Sequence, residues 1–208
     1  MKRDNQLFSG FVGAALMVVV VIAGLWTASP VSASSNAFGD KIFNPGQLKP
    51  IDSELKVAVG QIAPDFTLPS LGGTNVSLSL FKGKKNVMLT FIPAAWTPVC
   101  SDQWPGYNIA KELFDRYDTE VIGISVDNRP TLHAWTQEMG ELWFNVLSDF
   151  WPHGQVSHTY GVLRSDGTAE RAIFIIDKKG VIRFIHVEDI NVRPDLGLLI
   201  RELQKLSD

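Results

Sequence analysis

The chain has 208 residues, a formal net charge of −3 and a single cysteine, Cys100. Its length fits one domain behind an N-terminal extension, and its longest basic cluster, "KGKK" at Lys82 to Lys85, is too short to favour nucleic acid as a partner. One cysteine excludes a framework of disulfides within the chain and leaves two uses for the thiol, an intermolecular disulfide or a reactive group.

The N-terminus has the charged, then apolar, then small-residue pattern of an export signal. Lys2 and Arg3 precede an apolar run from Phe11 to Trp26, and small residues lead to a cleavage site after Ala33. Residues 1–33 are therefore interpreted as a cleaved signal peptide or, if retained, as a membrane anchor, since the run and its small neighbours approach the roughly 20 residues that span a bilayer. Both interpretations predict an exported protein, periplasmic or otherwise extracytoplasmic.

Residues 34–56 and 57–208 are interpreted as an N-terminal arm and a single folded domain. The first segment mixes Gly, Pro and polar residues without a clear period, which is typical of a tether or an extended arm. The domain opens with two strand-like pieces on either side of Gly72 and Gly73, and these predict a hairpin.

The rest of the domain alternates apolar runs of strand length with helical segments. The predicted elements are, in chain order, strand 86–92, helix 101–117, strand 120–127, helix 129–140, strand 143–149, helix 154–162, two strands within 172–189 and helix 193–206. Within the first helix, the pattern predicts that Ile109, Leu113 and Phe114 share the inner face. It also predicts that Pro105 kinks or breaks that helix.

This order of elements predicts the fold. Strands that alternate with helices favour parallel pairs with right-handed crossovers, and the two apolar runs around Asp177 to Gly180 add an antiparallel hairpin. The order is that of a thioredoxin-like fold, an α/β fold with a central mixed β-sheet flanked by helices.

Cys100 lies between the first predicted strand of that sheet and the helix that follows it. Its sulfur is therefore expected at the carboxyl end of a strand and near a helix N-terminus, where backbone N–H groups and the helix dipole stabilise a thiolate. Thr97 can place a hydroxyl beside the sulfur, and Pro93 and Pro98 stiffen the loop. Position alone leaves a second interpretation open, since a lone cysteine is often a small buried apolar residue.

Pro93, Thr97 and Cys100 form the pattern P-x-x-x-T-x-x-C, and this segment closely resembles the active-site loop of the peroxiredoxins. Three further stretches resemble the family's opening, its second core strand and its arginine-bearing strand and hairpin: "VGQIAPDFTLPSLGG", "EVIGISVD" and "AERAIFIIDKKGVIRF". The resemblance runs from about Val57 to Leu206, and its motifs occur in the family's order.

The resemblance implies a thiol peroxidase. In such an enzyme the Cys100 thiolate attacks the terminal oxygen of hydrogen peroxide or an organic hydroperoxide and becomes a sulfenic acid. The resemblance further implies that Arg171 lies beside the sulfur as a permanent positive charge, that Thr97 contacts the peroxide oxygens and that Pro93 covers the thiolate. It implies no metal and no organic cofactor.

The sequence departs from the family at two points. Gln103 stands where many members carry a glutamate, so an amide replaces the carboxylate that helps to hold the arginine. The single cysteine means that no second thiol of the same chain can resolve the sulfenic acid. The expected reductant is therefore external, a thioredoxin-like protein, a glutaredoxin-like protein or a small thiol, unless Cys100 of another subunit reacts within a homodimer.

Other interpretations stay open at this point. The same fold and cysteine suit a thiol-disulfide or redox-sensing protein without peroxidase activity, or a binding module that does not use the thiol. Arg171 has an alternative as an ion pair with Glu170 or Asp166, and Thr97 has one as a helix N-cap. The four histidines lack the spacing of a metal site.

Aromatic residues surround the cysteine in the sequence. Trp96 and Trp104 flank Cys100 and are interpreted either as walls of a peroxide pocket or a dimer face, or as ordinary core residues. The loop "FWPHG", residues 150–154, is expected to bring its aromatic side chains near the site.

Overall fold

A computed structural model describes residues 39–206 of the chain. The predicted export segment lies outside these residues and stays a prediction. Across the described range, no helix combines the length and the apolar character that crossing a membrane requires.

The described residues form two groups of strands and a set of helices. The strands are β1 (Thr67–Pro69), β2 (Asn75–Ser77), β3 (Asn86–Phe91), β4 (Thr119–Ser125), β5 (Asn145–Ser148), β6 (Ala172–Ile176) and β7 (Ile182–Val187). The helices are α1 (Pro98–Ile109), α2 (Lys111–Arg116), α3 (Arg129–Met139), α4 (Gln155–Tyr160) and α5 (Leu196–Gln204). Short 3₁₀ turns occur at Gly39–Lys41 and Leu78–Phe81.

The main sheet has the strand order β5-β4-β3-β6-β7. β3 lies at its centre, parallel to β4 on one side and antiparallel to β6 on the other. β4 also pairs in parallel with β5, and β6 and β7 form the late antiparallel hairpin. The mixed sheet and the small β1–β2 hairpin are therefore both as predicted.

Both faces of the sheet are covered, which explains why its central strand is apolar apart from Asn86 and Thr90. Val87, Leu89 and Phe91 of β3 face one core cluster, which includes residues of the β1–β2 hairpin and of α4. Met88, between them, faces a second cluster that contains residues of α1, α2, α3 and α5. The period of two along a strand sends alternate side chains into two different cores.

The segment after Cys100 departs from the prediction. Pro105 lies inside α1 without ending it, and the break falls instead at Ala110, between α1 and α2. The predicted common inner face was wrong for Ile109, whose side chain is 89% exposed, while Phe114 is buried. The break at Ala110 is the reason, because the two residues lie on separate helices and do not share one helical period.

The segment before the domain is packed against it. The Lys49 carbonyl accepts a hydrogen bond from Arg164, and the Asp52 N–H donates one to the Glu170 carboxylate. Arg164 and Glu170 are both buried and also form an ion pair with each other at 2.7 Å. Over the described part, from residue 39, this segment therefore contacts the domain, and its predicted bounds, 34–56, stay a prediction.

Candidate active site

Cys100 is the third residue of α1 and lies in its first turn. The preceding strand, β3, ends at Phe91, so the loop that carries Pro93 connects the carboxyl end of a central strand to the N-terminus of the helix. Thr97 precedes the helix in an extended conformation, and Pro98 takes the first helical position, which proline favours. The sulfur is fully buried and sits where the helix dipole favours negative charge.

Arg171 reaches the sulfur from the neighbouring strand. It precedes β6, whose first residue, Ala172, pairs with Phe91 at the end of β3. Its two terminal nitrogens, Nη1 and Nη2, each lie 3.5 Å from the Cys100 sulfur. Arg171 is buried. A buried, always charged guanidinium at this distance places a fixed positive charge beside the sulfur.

The alternative ion pairs of Arg171 are taken by a different arginine. Glu170 accepts a hydrogen bond of 2.7 Å from Arg164, and Asp166 lies 3.7 Å from the same guanidinium. Glu170 therefore pairs with Arg164, while Arg171, the next residue, contacts Cys100 and Gln103.

Gln103 fixes the orientation of the guanidinium. Its Oε1 accepts a 2.6 Å hydrogen bond from Arg171 Nη1, and its Nε2 donates to Thr90 and to Tyr107 at 3.1 Å each. Arg171 Nε donates in turn to the Ile190 carbonyl at 2.9 Å. An amide therefore stands in place of the expected carboxylate. Its oxygen accepts from Arg171, and its nitrogen donates to the hydroxyls of Thr90 and Tyr107.

Tyr107 completes this network as a neutral hydroxyl. Burial raises its pKa to about 12, and the hydrogen bond from Gln103 offsets only part of that effect. Its phenol therefore stays protonated across the ordinary working range of pH. Thr90 and Gln103 are buried as well, so the polar groups behind Arg171 satisfy one another away from water.

A cavity of about 560 Å³ lies over this arrangement. Pro93, Thr97 and Arg171 line it, so the structure brings three of the four predicted site residues to one wall, with Cys100 buried next to them. The Thr97 hydroxyl donates to the Ala94 carbonyl at 2.9 Å and makes no capping bond to the helix. The N-cap alternative for its side chain is therefore not what the structure shows.

Asp127 is a positioning residue that sequence reasoning missed. Its carboxylate accepts hydrogen bonds from the Ala95 backbone N–H at 2.7 Å and from the Ser125 hydroxyl at 2.6 Å. It thereby ties the loop before Cys100 to the end of β4. The sequence offered one signal, an aspartate directly after a buried strand, at the sheet edge where such sites form.

The two tryptophans beside Cys100 differ in their surroundings. Trp104 is fully buried and packs on Trp135 with ring centroids 5.0 Å apart, as a core residue does. It also lies so close to β4 that a Cβ at Gly123 would be 2.7 Å from its ring. Trp96 is partly buried in the active-site loop, with a positive φ of 60°.

The loop 150–154 lies away from the cavity over Cys100. Trp151 and Pro152 line a different, smaller cavity, with Phe66 and Tyr160. The expectation that its aromatic side chains approach the site was therefore wrong. Among residues 39–206, no group of three or more His, Cys, Asp or Glu side chains is arranged to hold a metal ion.

Comparison with known proteins gives one consistent result. The profile of the AhpC/TSA family matches residues 59–185. Alkyl hydroperoxide reductase E of Mycobacterium tuberculosis is 40% identical over 131 residues, which cover 62% of this chain and 85% of that protein. The chloroplastic 2-cysteine peroxiredoxin of Chattonella marina var. antiqua is 35% identical, over 74% of this chain and 82% of that protein.

Solved structures agree with the sequence relatives. The reduced 2-Cys peroxiredoxin of Plasmodium vivax has a TM-score of 0.67 and 27% identity, over 73% of this chain and 82% of that one. The thioredoxin-like fold is thereby confirmed. The 2-Cys name of these relatives contrasts with the one cysteine present here. The matched profile and the relatives together show that the chain belongs to the AhpC/TSA family, the peroxiredoxins.

Proposed function

We propose that Cys100 is the nucleophile of a thiol peroxidase that reduces hydrogen peroxide or organic hydroperoxides. One observation carries the assignment: both terminal nitrogens of a buried arginine lie 3.5 Å from a buried sulfur in the first turn of a helix. Helix dipole and guanidinium both stabilise the thiolate, which is the reactive form.

The reaction is a displacement at oxygen. The thiolate attacks the terminal oxygen of the hydroperoxide, a sulfur–oxygen bond forms and the oxygen–oxygen bond breaks. The leaving oxygen takes the electron pair and a proton and departs as water or an alcohol, while Cys100 becomes a sulfenic acid. Arg171 stabilises the negative charge on the sulfur before the displacement and the charge that develops on the leaving oxygen, since its two terminal nitrogens lie beside the reacting sulfur.

Thr97 and Pro93 act on the peroxide from the cavity side. Both line the cavity next to Arg171. The Thr97 hydroxyl already donates to a backbone carbonyl, so its oxygen lone pairs are available to accept a hydrogen bond from the O–H of the terminal peroxide oxygen. Pro93 is buried and has no N–H, so it covers the thiolate without offering a competing donor.

An external thiol restores the enzyme. The sulfenic acid condenses with the first thiol to a mixed disulfide and water, and a second thiol then releases the Cys100 thiol and a disulfide of the reductant. The chain has no second cysteine for this role. A thioredoxin-like protein, a glutaredoxin-like protein or a small thiol is the reductant, and a homodimer stays a prediction.

Single-turnover oxidation tests the peroxidase assignment without needing the natural reductant. We expect one equivalent of hydrogen peroxide to convert Cys100 rapidly to a sulfenic acid, detected by mass spectrometry after a trapping reagent. Arg171→Met should slow the reaction by about 100-fold, the typical effect of removing one donor to developing charge. Equally slow consumption of peroxide by the wild-type protein and by Cys100→Ser would contradict the proposal.

A neutral alkylating reagent distinguishes this function from that of a thiol-disulfide or sensing protein. A site built for peroxide accelerates oxidation much more than alkylation. Comparable acceleration of both reactions over a free thiol would favour the non-peroxidase alternative.

We also propose that the protein acts outside the cytoplasm. Support comes from the sequence alone, in which two basic residues precede the apolar run Phe11 to Trp26 and a small-residue site ends at Ala33. Intact mass of the protein recovered from cells reports whether residues 1–33 are removed. A full-length chain in the soluble cytoplasmic fraction would contradict export, and a full-length chain in the membrane fraction would support the anchor.

A further inference from the structure

The cavity over Cys100 has a wall that the active-site motif does not supply. Residues 43–48 of the N-terminal arm line it together with Pro93, Thr97 and Arg171. The arm precedes the family match, which begins at residue 59. This wall is therefore a feature of this chain in addition to the shared domain.

Hydrogen bonds to the domain hold the first and the last residue of this wall, Phe43 and Leu48. The Phe43 N–H donates to the Trp96 carbonyl in the active-site loop at 2.8 Å. At the other end, Asn191 accepts from the Leu48 N–H and donates to the Leu48 carbonyl, both at 2.9 Å. A side-chain amide that satisfies both backbone groups of one residue holds that residue as a neighbouring strand would.

Buried charges hold the next stretch of the arm. Arg164 donates to the Lys49 carbonyl at 3.0 Å, and the Glu170 carboxylate accepts from the Asp52 N–H at 2.6 Å. The Ile190 N–H also donates to the Pro50 carbonyl at 3.1 Å. Release of the arm would leave these buried groups with fewer partners, so the wall is a fixed part of the site.

The wall presents three apolar side chains, those of Phe43, Pro45 and Leu48, to the cavity beside the amides of Asn44 and Gln47. Phe43 lines the cavity while 69% of its surface is exposed, so a bound molecule can cover much of its ring. The cavity, at about 560 Å³, has the size of a site for a small organic ligand. Hydrogen peroxide has no substituent that could reach across such a space.

We propose that the arm is the specificity-determining wall of the site and that Phe43 contacts the apolar substituent of an organic hydroperoxide. The inference rests on the proposed peroxidase function and adds the part of the chain that selects the substrate. The reacting O–O group lies at Cys100 for every substrate, so the arm acts only on substrates with a substituent.

Phe43→Ala tests this wall, with Ile51→Ala as its matched control. Ile51 lies on the same arm, is 44% exposed and does not line the cavity. The measurement is the second-order rate constant of Cys100 oxidation by cumene hydroperoxide and by hydrogen peroxide. Phe43→Ala should lower the cumene rate constant about tenfold, as loss of an apolar contact does, and leave the hydrogen peroxide rate constant within about twofold.

A second variant, Asn191→Ala, removes the side-chain hydrogen bonds that hold Leu48 at the end of the wall. Asn191→Ala should also lower the cumene rate constant more than the hydrogen peroxide rate constant, while Val192→Ala, an exposed neighbour, should change neither. Unchanged rate constants for both substrates in Phe43→Ala, or equal losses for both, would overturn the role of the arm. Absence of peroxide reaction in the wild-type protein would instead overturn the proposed function itself.

Discussion

The charge at Cys100 is balanced by one side chain. Arg171 contributes one positive charge, the thiolate one negative charge, and Gln103 holds the guanidinium through a neutral amide. Among the residues the structure describes, no carboxylate hydrogen-bonds to Arg171. The buried group is therefore neutral when the thiol is ionised, which lowers the cost of burying that thiolate.

Gln103→Glu should slow oxidation of Cys100, although the resemblance to the family led us to expect a carboxylate at this position. The added carboxylate would compete with the thiolate for the single guanidinium and leave the buried group with an excess negative charge. We expect the rate constant for hydrogen peroxide to fall about tenfold, the equivalent of ~1.4 kcal/mol.

Gln137→Glu, the same substitution at an exposed position of α3, is the matched control and should react like the wild-type protein. A rate constant for Gln103→Glu that equals or exceeds that of the wild type would show that the charge balance does not limit the reaction.

The free energy of unfolding should fall in alkaline solution because Tyr107 is buried as a neutral phenol. Its pKa is raised by burial from 10.0 to about 12, so the unfolded phenol ionises before the folded one. The stabilising contribution is complete below pH 10 and is lost as the pH rises from 10 toward 12. Urea unfolding of wild type and Tyr107→Phe at a series of pH values measures the difference.

The wild-type protein should lose more stability than Tyr107→Phe over that range, by roughly 2 kcal/mol, since one pKa unit corresponds to about 1.4 kcal/mol. Other groups titrate in both proteins and cancel in the comparison. Identical pH dependence of the two proteins would contradict the assignment.

The active-site loop and α1 depend on contacts with β4. Asp127 ties the Ala95 N–H to the end of that strand, and Trp104 of α1 rests against Gly123 in its middle. A side chain at position 123 would require the fully buried Trp104 ring to move. Loop and helix are thus seated on the same strand, and together they set the position of the sulfur.

Asp127→Ala should slow Cys100 oxidation about tenfold and cost about 1–2 kcal/mol of unfolding free energy, because the Ala95 N–H and the Ser125 hydroxyl lose their acceptor. Stopped-flow kinetics and urea unfolding measure the two effects. Asp127→Asn keeps one acceptor oxygen and should recover most of the rate. A stability loss with no change in rate would reduce Asp127 to a structural role.

On the scale of the whole molecule, the arm and the domain share a buried ion pair. Arg164 and Glu170 hold each other at 2.7 Å, and each also binds the backbone of the arm. Glu170 is followed directly by Arg171, so one group that holds the arm and the group that contacts the sulfur are neighbours in sequence.

Glu170→Ala should destabilise the protein by about 3–5 kcal/mol, since it leaves the buried Arg164 guanidinium without its carboxylate and the partly buried Asp52 N–H without its acceptor. Urea unfolding measures the change. The double variant Arg164→Met with Glu170→Leu removes both charges and should recover much of that loss. Equal destabilisation by the single and the double variants would show that the unpaired charge is not the cause.

The sequence by itself determined the features that depend on local pattern. Apolar runs of strand length predicted β3, β4 and the β6–β7 hairpin, because the strands of a sheet that is covered on both faces are mostly apolar. The motif around Cys100 predicted the family, since its residues stand close together along the chain. Ile109 was misplaced because the period of a helix cannot show where that helix breaks.

Only the tertiary structure decided how Arg171 is held beside the sulfur and which part of the chain forms the rest of the cavity. Arg171 lies 71 residues from Cys100 in sequence, and Asn191 lies 143 residues from the Leu48 backbone that it holds. No local pattern encodes such contacts, because they arise when separate elements pack on a common sheet. The arm showed this most clearly: its irregular sequence resembles a tether, and only its contacts with the folded domain make it a wall of the site.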